Sequence, residues 1–368
     1  MDFTEEENKE LEITTRSGYI LRDLARTFLQ CLGEAGPNSA GKLIHYTADI
    51  ICSGGLLLFE KLCFEYAYDH IGIASPRIFL YLYQQLKILK EHAAKLDFNK
   101  FCSSVEVQHI CTEIVLILQG CPKKTKPKYP SVSDDTHENE NWLRSVLRTT
   151  DKACVRKVFQ RNSDLEQLLH AGNEMVFAIM EGATERALFW VKWLLEEDAI
   201  TRKKFGSGLS TIERGPPGLK NINQKTSVGY YLINVLAELY KEFSQKGMVR
   251  LHQEFQTLLD LYRSIDPRNS QKRKMDTLCL MIQILVDMPR MKVPAAPTLV
   301  QDPTSLQRMV EHSDTFFKEV LFLPLPKKML PNTVSGLKKK KAKEPSKEEQ
   351  LQQKLNMIDQ LAMNFYKM

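Results

Sequence analysis

The chain has 368 residues and carries 51 Lys and Arg against 45 Asp and Glu, a formal charge of +6. Hydrophobic residues make up 43% and the mean hydropathy is −0.31. These values exclude collagen-like, wholly disordered and membrane-spanning chains, and leave apolar residues enough for one large domain or two. The charge is unevenly placed: residues 1–120 carry 11 basic and 16 acidic groups, whereas 327–368 carry 10 and 4. The chain up to residue 326 is balanced, and the last 42 residues hold the whole surplus.

The acidic start Met1-Asp2-Phe3-Thr4-Glu5 is the opposite of a secretory n-region, and no run of about eighteen apolar residues occurs, so no membrane span is expected. The cysteines, among them Cys31, Cys52, Cys63 and Cys102, form no CxxC pair. They read as reduced, buried thiols of a cytosolic or nuclear protein. No Cys and His share zinc-ligand spacing, so neither metal nor cofactor is expected.

In chain order, residues 19–32 set Ile20, Leu21, Leu24, Phe28, Leu29 and Leu32 on one helical face. Further helices are predicted over 42–53, 56–70, 77–95 and 104–119, with Ser75 capping the long one and Pro76 opening it. Residues 121–140 run from a basic, proline-rich stretch into an acidic one and read as a linker. Helices resume at 142–149, 151–159, 163–180 and 183–204. Residues 205–227, rich in Gly and Pro, read as a long flexible loop. Helices at 228–246, 248–264, 271–288 and 303–321 follow, and almost nothing alternates with period two. The fold class is therefore all-α. Two helical subdomains, 1–120 and 141–322, are expected as a multi-helix bundle or irregular solenoid. A disordered basic linker, 323–346, and a C-terminal amphipathic helix, 347–368, complete the chain.

Little in this pattern carries chemistry. Gly36-Pro-Asn-Ser-Ala-Gly41-Lys42 fits the first seven positions of a phosphate-binding loop, but Leu43 stands where a magnesium-holding Ser or Thr belongs, and a helical segment precedes it. Glu196, Glu197 and Asp198 fan around one helix and read as a solvated face. Trp190 and Trp193 lie among apolar neighbours at core spacing. The most specific feature is the tail. Lys338, Lys339, Lys340, Lys341 and Lys343 form a compact cluster of the kind read by nuclear import receptors, and one that also neutralises phosphates without sequence choice. Beyond it, Leu351, Leu355, Ile358, Phe365 and Tyr366 recur at helical spacing, the form of a peptide that docks in a partner's groove.

The segments His70–Phe79 and Ala187–Glu196 resemble uncharacterised helical proteins encoded by large DNA viruses of eukaryotes. The resemblance implies a virus-encoded accessory protein and assigns no residue a role. The expectation is a non-enzymatic nuclear interaction protein, synthesised in the cytoplasm and imported. It would bind protein partners through its helical body and an import receptor or nucleic acid through its tail, with no membrane contact. Two alternatives are a nucleotide-dependent enzyme using Gly36–Lys42, and a structural or virion-associated subunit docking through its last helix.

Overall fold

The apolar residues spaced by three and four do form helices, and one of those helices organises the others. A computed structural model describes residues 13–34, 36–138, 141–149, 151–264, 271–290 and 298–326. Its helices are α1 (Leu21–Gly33), α2 (Pro37–Cys52), α3 (Leu56–Tyr66), α4 (Arg77–Lys95), α5 (Phe98–Ser103) and α6 (Val105–Gly120). The short α7 (Asp135–Glu138), α8 (Trp142–Val146) and α9 (Ala153–Val158) follow, then α10 (Glu166–Glu181), α11 (Thr184–Phe205) and α12 (Ile222–Lys225). The last are α13 (Val228–Gln245), α14 (His252–Arg263), α15 (Gln271–Asp287), α16 (Pro303–Glu311) and α17 (Asp314–Phe322). Among the described residues β structure is limited to two isolated bridges, Thr14 to Ile20 and Asp164 to Ser210. The fold is all-α. The tail beyond Pro326, with its lysine cluster and the helix expected at 347–368, lies outside the described residues.

Every residue of α15 from Asp276 to Val286 is buried. A helix covered on all sides belongs in the middle of a core. It packs against α10, α11, α13 and α14 from the second half, and against a π turn, Ala67–Ile71, from the first. One continuous apolar cluster joins Phe28, Phe59 and Phe79 to Trp190, Tyr231 and Leu285. The division at 121–140 therefore does not separate two cores. The far end of the chain crosses back as well: α17 packs on α2 and α16 on α6, with Phe317 and Val320 fully buried. Residues 303–322, expected in the second subdomain, belong to the packing of the first.

The 121–140 segment is a strap. Its backbone N–H groups at Lys124 and Lys126 donate to the His70 and Asp69 carbonyls, at 2.7 and 3.4 Å. These are carbonyls that the π turn leaves free of regular helical bonds. Tyr129 donates its hydroxyl to the Met275 carbonyl at 2.8 Å, and the Lys126 ammonium bridges Asp69 of the first half and Asp276 of α15. Residues 122–133 of the strap, which hold its prolines, are not helical, as expected, but Lys124, Lys126 and Tyr129 tie it to the body.

The 205–227 segment is also fixed, contrary to the flexible loop expected there. Asp198 accepts the Leu209 N–H at 2.8 Å, and Arg202 reaches across to Asn223 and Thr226. Arg214 forms a buried ion pair with Asp164, further held by Ser210. Gly208 is required here, because a Cβ would stand 2.1 Å from the Asp198 carboxylate. At the N-terminus, Thr15 and the Ser17 N–H both donate to the buried Asp49, while Arg16 donates to the Leu321 and Leu323 carbonyls. Ser75 does not cap α4 with its hydroxyl; its carbonyl accepts the Ile78 N–H at 3.1 Å.

The strap's ion pairs are unequal. Burial works to raise the Asp69 carboxyl, but Lys126 and Lys272 outweigh it and hold the group below the ordinary range. Burial prevails at Asp276 and holds it above. A depressed carboxylate contributes stability that is present above its unfolded pKa and lost as pH falls through the folded one. Asp69→Asn should therefore lower the unfolding free energy at pH 7 by about 1–2 kcal/mol, an order of magnitude set by partly buried pairs. It should also flatten the loss of stability in acid. Asp276→Asn should cost less at pH 7, and urea titrations at pH 7 and pH 4 compare the two.

Candidate functional site

The sequence-predicted phosphate loop is not a loop. Pro37 to Lys42 form the opening turns of α2, with Gly36 at φ 122° just before them. Ser39 donates its hydroxyl to the Cys31 carbonyl at 3.0 Å, and Leu43 is fully buried. The Ala40 N–H is spent on the Gly36 carbonyl at 3.1 Å, and α1 precedes this turn where a strand is needed. Asp287, the last residue of α15, pairs with Lys124 at 3.3 Å.

The tryptophans are core residues. Trp190 and Trp193 are 4% and 2% exposed, and Trp142 from α8 lies 5.8 Å from each ring. His137 of the strap stacks flat on Trp193, at 5.4 Å and 9°, while its Nδ1 sits 2.6 Å from Glu197. Glu196 lies 3.7 Å from Lys192, and Asp198 takes Arg202. Asp198 turns away from the other two, whereas Glu196 and Glu197 both reach His137, at 3.6 and 2.6 Å, so the run is not a solvated face.

A cleft of about 450 Å³ opens along one side of α13, lined by Lys157, Gln160, Arg214, Asn234, Lys241 and Arg263. Its positive charge is largely compensated. Asp164 and Ser210 occupy the Arg214 guanidinium, and Glu238 lies beside both Lys157 and Lys241. Arg263 donates to the neutral Asn234 side chain at 2.8 Å.

One cluster of uncompensated charge on the body lies elsewhere, at the C-terminal end of α11. Lys203, Lys204 and Phe205 are the last residues of this helix, all exposed, and Gly206 closes it in the left-handed conformation at φ 77°. Phe205 is 77% exposed and Ile222, on the segment that Arg202 ties to the same helix end, is 52% exposed. Lys220 is exposed beside it, and none of Lys203, Lys204 and Lys220 forms an ion pair among the described residues. Arg202, Lys203 and Lys204 stand together in the sequence as a basic run. Phe205 was missed, although an aromatic residue inside Arg202-Lys-Lys-Phe-Gly206 is a usable signal: the residue before a C-cap glycine often points outward.

The predicted tail residues, Lys338–Lys341, Lys343, Leu351, Leu355, Ile358, Phe365 and Tyr366, lie outside the described residues. Among the described residues no helix is long and apolar enough to cross a membrane, and no group of three His, Cys, Asp or Glu could hold a metal ion. Comparison with protein-family models, with curated proteins and with solved structures finds no match to this chain.

All eight cysteines are buried and unpaired. Burial pushes the Cys121 thiol up to about 11 and those of Cys154 and Cys279 up to about 12. Cys52 is raised further, first by its hydrogen bond with Cys102 and then by burial. Thiols held this way are poor nucleophiles. The folded protein should therefore react slowly with a thiol-specific disulfide reagent at pH 8, and all eight sites should react at once in guanidinium; rapid labelling of any one in the native state contradicts the burial.

Proposed function

We propose that this chain is a non-enzymatic interaction protein of the nucleus, with a folded helical body that binds protein partners and a basic tail that carries import or phosphate contact. The observation that carries the reading is the partition of charge. The chain up to residue 326 is neutral overall, and the surplus of +6 sits in 327–368, centred on Lys338–Lys341 and Lys343. A compact lysine run flanked by Pro331 and Pro345 is accessible chain chemistry, suited to an import receptor's acidic groove or to phosphates. The apolar series Leu351, Leu355, Ile358, Phe365 and Tyr366 beyond it suits a partner's groove. The helical form of residues 37–42 supports a binding role over nucleotide hydrolysis.

Two measurements test the reading. Replacing Lys338–Lys341 and Lys343 by Gln should move a fluorescently tagged full chain from nucleus to cytoplasm, and an unchanged nuclear fraction removes the tail's role in import. Affinity purification of the intact protein, with and without nuclease, should recover a defined protein partner that survives nuclease treatment. Loss of every partner on nuclease treatment rejects direct protein binding by the body.

A further inference from the structure

We propose that the C-terminal end of α11, with Lys203, Lys204 and Phe205 joined by Lys220 and Ile222, is a second binding site for nucleic acid, and that it takes single-stranded chain with one base stacked on Phe205. The proposal shares with the reading above only the choice of a polyanion, and it concerns the folded body rather than the tail.

The argument starts from Phe205. It is a large apolar side chain left 77% exposed on the last turn of a helix whose other aromatic residues, Phe189, Trp190 and Trp193, are packed inside. The lysines have a structural reason to be there, since cations at a helix C-terminus meet the negative end of the helix dipole. That reason does not extend to a phenyl ring. Nor is the ring carried on a loose end. Asp198 and Arg202, about two turns and one turn back respectively, bind the Leu209 N–H, Asn223 and Thr226, so both segments forming the tip are anchored.

The composition of the tip identifies its ligand. Lys203, Lys204 and Lys220 are free to neutralise phosphates. An exposed ring offers a face to an unstacked base, which a duplex does not present. Around it, Asn221, Asn223 and Gln224 are exposed amides that can meet base edges. A lipid surface is the other polyanion with a use for lysine and phenylalanine. A wedge into acyl chains draws on several apolar side chains, however, and here Phe205 and Ile222 stand among amides and charges. The observations therefore favour single strands over bilayers.

The two kinds of contact leave different signatures, which the test exploits. Binding of a labelled oligothymidylate to the full chain is measured by fluorescence anisotropy over a range of salt. A parallel series carries Gln at the tail lysines, Lys338–Lys341 and Lys343. In that series Phe205→Ala should weaken binding by about fivefold or more with an unchanged salt slope, the range found for losing one stacked base. Phe205→Trp should restore it. Lys203→Gln, Lys204→Gln and Lys220→Gln together should lower the slope of log affinity against log salt by about 2, close to 0.7 per lost phosphate contact. These side chains are exposed, so thermal unfolding of the variants should match the parent. The proposal is overturned if the tail-substituted chain binds no oligonucleotide, or if the tip variants bind as the parent does. It is also overturned if the variants lose binding to phosphatidylserine vesicles while oligonucleotide binding is unaltered. Tail substitution that leaves affinity and salt slope unchanged, while the tip variants still weaken binding, would remove phosphate contact by the tail and leave this site standing.

Discussion

The Lys126 ammonium, held between Asp69 and Asp276, is the point at which the chain's two halves become one body. Asp69 lies in the π turn that closes α3, and Asp276 begins the fully buried stretch of α15. A charge brought out of water needs close partners, and two carboxylates from opposite halves supply them. The same strap lays its backbone N–H groups on carbonyls freed by the π turn. An irregular turn, an extended strap and a central helix are thus mutually required. Without the strap, the π turn has unmet acceptors and the two carboxylates face each other; without α15, the strap has nothing to cross.

The same device recurs wherever the chain leaves helical form. Asp49 on α2 receives the 15–17 turn. Glu174 on α10 receives the backbone N–H of Arg148 and Thr149. Asp164 receives Arg214, and Asp198 on α11 receives the Leu209 N–H. Each is a buried carboxylate, and each meets the N–H groups or guanidinium of a segment that has no regular hydrogen-bonding pattern of its own. A buried acid without such partners would be costly; with them it fixes the segment to one place.

Helix positions were legible because apolar spacing dictates them: α1, α4, α6 and α13 follow the pattern of Leu, Ile, Phe and Tyr directly. What was not legible was the use of polar residues inside those helices. Asp198 next to Glu196 and Glu197 looks like part of a solvated face, since one carboxylate in a helix reads the same whether it meets water or a distant N–H. The same blindness made 205–227 look flexible and 121–140 look like a spacer, because their partners are far away in sequence. Arg214 is 50 residues from Asp164, and Lys126 is 150 from Asp276. The return of α16 and α17 to the first half was hidden for the same reason. Phe205 was obscured in another way: it opens 205–227, a stretch read as loop, where a lone aromatic belongs to no apolar pattern.

Charge compensation separates the surfaces that can recruit a polyanion from those that only look basic. The α13 cleft has four cations among its walls, yet Asp164 and Glu238 answer most of them from within, so an incoming anion must compete with carboxylates already in place. At the end of α11, Lys203, Lys204 and Lys220 form no ion pair among the described residues; Asp198 is spent on Arg202 and Leu209, and Glu213 on Lys225. Equal numbers of basic residues thus have unequal consequences. A neutral body avoids indiscriminate adhesion to polyanions, since long-range attraction scales with net charge and is screened within about 8 Å at physiological salt. Affinity is then confined to places where cations are unpaired, and an aromatic side chain placed there adds a contact that salt does not screen.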